Sequence, residues 1–252
     1  TGDSYGTGRL QGQSEKLLGQ FSQAYQGENQ DKICLATKLA PYPWRLTPQS
    51  IVKAGIASGD RLQRPIDLVQ LHWSTANYAP WQERPLLEGL VKLCQQGQAK
   101  ALGLSNFGPK RLQKAHDFCQ DQGVKIVSLQ VQYSLLSTYP VTTLGLKDLC
   151  DRLGIKLIAY SPLTLGLLTG KYSAQGPFPS GLRRFLFPQL LPAIPPLLNT
   201  LKAIAASREK TMAQVALNWC ICQGTLPIPG AKNRQQVADN LGALGWRLDA
   251  GE

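Results

Sequence analysis

Nowhere in the 252 residues do 18 or more apolar residues run uninterrupted, and no charged-then-apolar leader opens the chain. Both absences speak against a membrane span or a secretory signal, so a soluble protein is expected. Histidine is scarce, at positions 72 and 116, and there is no CxxC pair and no clustered histidine. That excludes the usual zinc spacings. The six cysteines, at 34, 94, 119, 150, 220 and 222, fall mostly in apolar patterns and read as reduced, packed thiols of a cytoplasm-like compartment. No apolar run leads directly into G-x-G-x-x-G, which removes the main support for a Rossmann dinucleotide fold. A formal charge of +11 is spread along the chain without a long basic block or an aromatic RNA-binding signature. Nucleic acid is therefore not the expected partner; a basic surface or an anionic small molecule is.

Hydrophobic residues make up 43% of the chain and include five tryptophans, enough for a full core. Apolar runs start at 33 (ICLATK), 66 (IDLVQLH), 99 (AKALGLSN), 127 (VSLQVQY), 156 (KLIAYSP) and 226 (LPIPGA). The first five are each separated by the length of a strand plus a returning helix. Helical stripes fill the gaps: Leu87, Leu90, Val91, Cys94; Leu112, Ala115, His116, Cys119; Leu146, Leu149, Cys150, Leu153. A further stripe, Met212, Val215, Ala216 and Trp219, follows a capping box of Thr211 and Gln214. Strands apolar on nearly every residue belong to a parallel sheet covered by helices, either doubly wound or a (β/α)8 TIM barrel, and the barrel is favoured. Residues 1–252 are expected to form one such domain, interrupted by a Pro-rich excursion at 173–196 that is either a lid or a variable loop.

A barrel keeps its chemistry at the carboxyl ends of its strands. There the runs end on Lys38, His72, Ser105 and Asn106, Gln130 to Tyr133, and Tyr160 and Ser161. A lone histidine is more often structural than catalytic; His72 stands among other functional groups, whereas His116 belongs to a helix stripe and is read as structural.

Taken in order, GDSYGTG with SEKLLGQF, ATK, DLVQLHW, GLSNF, QVQYSLL, AYSPLTLGLLTGKY, and LPIPGAKN with ADN resemble the aldo-keto reductases, nearest to plant-chloroplast and cyanobacterial types. The resemblance runs the length of the chain. It implies NADPH-dependent reduction of a small aldehyde or ketone, with the family's tyrosine at Tyr5, its lysine at Lys38 and its histidine at His72. Hydride delivered to a carbonyl carbon leaves charge on oxygen, which a phenol neutralises by giving up a proton. A neighbouring ammonium favours the phenolate, and an imidazole can orient the carbonyl. Taken singly, Tyr5 is a turn residue and Lys38 a solvated strand end; together, in the family's order, they read as a site.

The resemblance also implies a nicotinamide site of Ser105, Asn106 and Gln130 with the ring of Tyr160 stacked on it. Gly170 and Lys171, within LGLLTGKY, would serve the pyrophosphate, and Ser161, Leu163 and Gly230 would also bind the cofactor. Lys232, with Arg234, would meet the 2′-phosphate, with Gln236 assisting and Asp239 and Asn240 at the adenine end. Trp44 and Trp73 are candidates for an apolar substrate mouth, or plain packing.

One member of the family's set is missing. In its D-T-A-D-x-Y pattern the catalytic aspartate stands five residues before the tyrosine, a position ahead of Thr1; Asp3 matches the second aspartate and is assigned no catalytic role. The chain is thus expected to be an N-terminally incomplete barrel, lacking most of the first strand, first helix and second strand. Its parent would be the enzyme and the fragment weakly active or inactive. Two alternatives stay open: a cofactor-holding scaffold like the potassium-channel beta subunits, or an inactive fragment. The compartment is the cytoplasm, or the plastid stroma if a transit peptide precedes Thr1.

Overall fold

The computed structural model describes residues 1–6, 10–173, 176, 187 and 190–252. Its strands are β1 (Ala36–Leu39), β2 (Ile66–Leu71), β3 (Ala99–Ser105), β4 (Ile126–Gln132), β5 (Lys156–Tyr160) and β6 (Leu226–Ile228), and they form one sheet in chain order. The pairings β1–β2, β2–β3, β3–β4 and β5–β6 are all parallel. The helices are α1 (Gln13–Ala24), α2 (Pro48–Leu62), α3 (Pro80–Gln95), α4 (Pro109–Asp121), α5 (Tyr139–Thr142), α6 (Leu146–Arg152), α7 (Pro195–Ser207), α8 (Met212–Cys222) and α9 (Arg234–Leu241). Each of the six apolar runs therefore yields a strand. The first starts later than its run: the Leu35 amide donates to the Asp67 carboxylate at 2.9 Å, and β1 begins at Ala36. Cys34 precedes the strand and is exposed, which corrects its reading as a packed thiol.

The described chain divides into two compact units, one of Thr1–Gln130 with Leu146–Lys156, the other of Val131–Gly145 with Leu157–Glu252. In the first unit α2, α3 and α4 open on proline, whose fixed φ suits a first turn that has no amide partner to lose. Thr47 caps α2 by accepting the Ser50 amide. Helices α2 and α3 meet at two glycines. A Cβ on Gly55 would lie 2.4 Å from Leu93, and one on Gly89 would lie 2.6 Å from both Ile51 and the Pro48 carbonyl. Only hydrogen fits at either contact.

In β1 the alternation of side chains sends Thr37 and Lys38 to opposite faces. Thr37 donates to the fully buried Glu15 of α1, while Lys38 faces Gln130 of β4. Register puts Lys38 level with Gln70, Gly103 and Ser128 on successive strands. Gly103 makes that layer possible, because a Cβ there would stand 2.3 Å from Ser128 Oγ and 3.0 Å from the Gln70 side chain. Gln70 and Ser128, both buried, hydrogen-bond across the gap at 3.5 Å.

The second unit packs around Leu168, Leu201, Ala205, Val215 and Ala216, with an adjoining cluster of Leu167, Phe187, Leu191 and Ile194. The expected capping box is present: Thr211 accepts the Gln214 amide, and the Gln214 side chain accepts the Thr211 amide. Buried Asn218 donates to the carbonyls of Ala243 and Trp246 and accepts the Leu248 amide, tying the last residues to α8. Most of the Pro-rich excursion at 173–196 lies outside the described residues. Of the rest, Leu191–Ala193 is a 3-10 turn, and Pro195 and Pro196 open α7 where proline is tolerated.

Candidate active site

Tyr5, Lys38 and His72 come from three separate stretches of the first unit and converge. The Lys38 ammonium lies 5.2 Å from the centre of the Tyr5 ring, and the Tyr5 and His72 rings meet edge-on at 5.5 Å. Lys38 is buried on a strand, so its reach is fixed by packing, and its Nζ donates to Gln130 Oε1 at 3.5 Å. Tyr5 is 40% exposed and open to an incoming molecule.

What holds the tyrosine loop against β1 was not legible in the sequence. The Thr1 terminal ammonium and the Asp3 amide donate to the carbonyls of Ala36 and Lys38 at 3.0 and 2.9 Å, laying residues 1–3 along the edge of β1. The buried Asp3 carboxylate accepts the Ala40 amide at 3.0 Å and pairs with Arg45 at 2.6 Å. Burial pushes that carboxyl up from its ordinary value, against the pull of Arg45. Asp3 thus straddles Lys38 with its amide and its side chain, and positions Tyr5 two residues on. Glu15 braces the other side by joining Thr37 to Arg61, whose Nε lies 2.6 Å away. Both carboxylates look in the sequence like ordinary turn and helix residues; only the paired cations mark them.

His72 follows β2, and its amide donates to the Leu39 carbonyl at 3.0 Å. Its Nδ1 lies 3.1 Å from Ser4 Oγ. Burial, and then the Lys38 charge, lower its pKa to about 4, so the ring is neutral near pH 7. Trp73 tilts against it at 4.8 Å, whereas Trp44 is 71% exposed and stacks on Tyr42. Also in the first unit, Asn106 Nδ2 donates to Ser105 Oγ at 3.2 Å, and the Asn106 amide donates to the Gln130 carbonyl at 2.9 Å. Asn106 has φ of 56°, the left-handed backbone that asparagine tolerates. His116 sits on α4 beside Asp117, at 3.3 Å, apart from this chemistry.

In the second unit Tyr160 ends β5, and its carbonyl accepts the Tyr133 amide at 3.3 Å. Ser161, Thr164 and Leu165 all adopt positive φ, folding the next residues into a tight turn in which the Leu163 carbonyl accepts the Gly166 amide. Gly170, also at positive φ, passes Met212 so closely that a Cβ would lie 2.6 Å from its sulfur. Lys171 is exposed and stands over the Tyr172 ring. Asn233 caps α9 by accepting the Gln236 amide at 2.9 Å, and Gln236 Oε1 accepts the Lys232 amide at 2.7 Å. Gln236 therefore orders the Lys232 backbone, a task that depends on the turn before α9 and leaves no mark in the sequence. Lys232 and Arg234 stay exposed beside that helix start, with Gly230 ahead and Asp239 and Asn240 on its last turns.

The model of the aldo/keto reductase family matches residues 1–252. The chain belongs to that oxidoreductase family. It is 55% identical over 251 residues to a chloroplastic pyridoxal reductase of Arabidopsis thaliana, covering 98% of this chain and 68% of that protein. It is 30% identical over 252 residues to the aldo-keto reductase str7 of Strobilurus tenacellus, covering 95% and 71%. An aldo/keto reductase from Klebsiella pneumoniae, solved with NADP and acetate, superposes with a TM-score of 0.74 at 25% identity, covering all of this chain and 75% of its own. A thermostable aldo-keto reductase solved with an inhibitor gives 0.76 at 23%, covering 99% and 77%. The parallel α/β sheet is accordingly that of the family's barrel, of which this chain supplies about three quarters of the solved length. Among the described residues no helix is long and apolar enough to cross a membrane.

Proposed function

We propose that this chain carries the proton-transfer and cofactor residues of an NADPH-dependent aldehyde or ketone reductase. The convergence of Tyr5, Lys38 and His72 is the observation that carries the reading. Tyr5 holds the proton that the substrate oxygen receives, and the Lys38 ammonium lowers the cost of leaving the phenolate behind. In the tautomer that serves this role, the neutral His72 accepts the Ser4 hydroxyl proton at Nδ1 and carries its own proton on Nε2, where it hydrogen-bonds and orients the carbonyl.

The donor sets fit the cofactor. Ser105, Asn106 and Gln130 offer the donors and acceptors a carboxamide needs, and Tyr160 a flat ring. Gly170 and Lys171 suit a pyrophosphate, with Ser161, Leu163 and Gly230 also offered to the cofactor, while Lys232 and Arg234 beside the first turn of α9 suit a 2′-phosphate. Asp239 and Asn240 serve the adenine end. NADPH, when bound, supplies the hydride. The relative's name makes pyridoxal the first substrate to test and the plastid stroma the compartment to examine first.

Tyr5→Phe should abolish NADPH-dependent aldehyde reduction while leaving NADPH affinity within about twofold, because the phenol supplies a proton and not binding. Steady-state rates and fluorescence titration of NADPH measure the two; an unchanged rate refutes the role of Tyr5. A scaffold that binds NADPH without turnover is the second reading. NADPH binding by the unsubstituted chain with no turnover of any aldehyde would mark that scaffold.

A further inference from the structure

Between α1 and α2 the first unit holds a cavity of about 440 Å³ that the reductase reading leaves without a task. Asp3, Lys16, Arg45 and Arg61 line it, and the short side chains of Ala54 and Ala57 leave its α2 side open. Two of the three cations are paired, Arg45 with Asp3 and Arg61 with Glu15, each at 2.6 Å. Lys16 is exposed and has no ion pair among the described residues.

The paired arginines still have donors to offer. A guanidinium carries five N–H groups on three nitrogens. Arg45 uses Nη1 on the Ala40 carbonyl and Asp3, while Arg61 uses Nε on Glu15 and Nη2 on Ser58. Nε and Nη2 of Arg45 and Nη1 of Arg61 therefore meet no acceptor among the described residues. Gly12, which also lines the cavity, starts α1 without a capping side chain, so no side-chain oxygen covers the first amides of that helix. One acceptor is open as well. Asp3 is 4% exposed; its Oδ1 accepts the Ala40 amide, but Oδ2 meets only the charge of Arg45 and accepts no hydrogen bond among the described residues. A buried carboxylate oxygen left in that condition gains from any hydroxyl that reaches it.

We infer that this cavity binds a small phosphate ester that carries a free hydroxyl, with the phosphate on Lys16 and the spare donors of Arg45 and Arg61, and the hydroxyl on Asp3 Oδ2. A neutral polyol would leave the cations unmatched, and inorganic phosphate would leave Oδ2 unmet. The carboxylate repels a phosphate from its own end of the cavity, which orients the ester. No hydride transfer is involved, so the site stands or falls apart from the reductase reading.

Calorimetric titration of the chain with glycerol 3-phosphate, inorganic phosphate and glycerol tests it. The ester should bind, inorganic phosphate should bind roughly fivefold more weakly, and glycerol should give no binding heat. Lys16→Gln keeps a good helix former on an exposed position and should weaken the ester roughly tenfold. Lys232→Ala, which removes the cation beside α9, should leave ester binding unchanged and so separates this cavity from the proposed 2′-phosphate site. No binding of the ester overturns the inference, as does binding that survives Lys16→Gln or is lost in Lys232→Ala. Equal affinity for the ester and inorganic phosphate overturns it too, because Asp3 would then accept nothing from the ligand.

Discussion

At the scale of the residue, His72 shows how position sets chemistry. A free imidazole titrates near ~6.5, and burial together with Lys38 brings this one to about 4. Between those values the unfolded chain binds a proton that the folded chain does not. The free energy of unfolding therefore falls as pH drops from about 6.5 towards 4, and His72 adds no slope above that window. Asp3 acts in the opposite sense, because its raised pKa lets the folded state hold a proton that the unfolded state releases. Urea unfolding across the window, repeated on His72→Gln, isolates the histidine: the variant should lose less stability than the parent on acidification. A parallel decline in both would mean that His72 is already charged in the folded protein.

At the scale of the element, the contact between α2 and α3 makes the usual preference of helices for alanine reverse. Alanine is better than glycine in a helix by about 0.8–1 kcal/mol. At Gly59, where a Cβ would find its nearest neighbour at 3.8 Å, Gly59→Ala should gain most of that. At Gly89 the new methyl would meet the Pro48 carbonyl and Ile51 Cβ at 2.6 Å, backbone and a branch point that cannot swing away. Gly89→Ala should lose about 1–3 kcal/mol despite its better propensity, a difference in sign that thermal unfolding reads directly. Both glycines sit in helical patterns and look alike in the sequence. The strands were legible because burial on both faces writes itself as an unbroken apolar run, and the capping box because its two partners are three residues apart. Asp3, Glu15 and Ser4 were not, since each gains its meaning from a partner dozens of residues away. Lys38 and His72 were legible as strand ends, but the neutral state of the imidazole came only with its surroundings.

At the scale of the whole molecule, net charge and an exposed strand pull in opposite directions. β6 closes the order of the sheet and leaves Leu226 and Ile228 about half exposed, on a strand that carries no charge to deter pairing. Two copies of that edge could add to one another through their unpaired backbone groups. The formal charge of +11 resists such an approach, and screening weakens the resistance, because the Debye length shrinks from about 30 Å at 0.01 M salt to about 8 Å at 0.15 M. Sedimentation should therefore show the chain monodisperse at low ionic strength and increasingly associated as salt is added. Ile228→Lys places a charge on the edge itself and should suppress that association at every salt concentration while leaving the far-UV spectrum unchanged. If association instead falls with salt, attraction between opposite charges is driving it, and the exposed strand is not the cause.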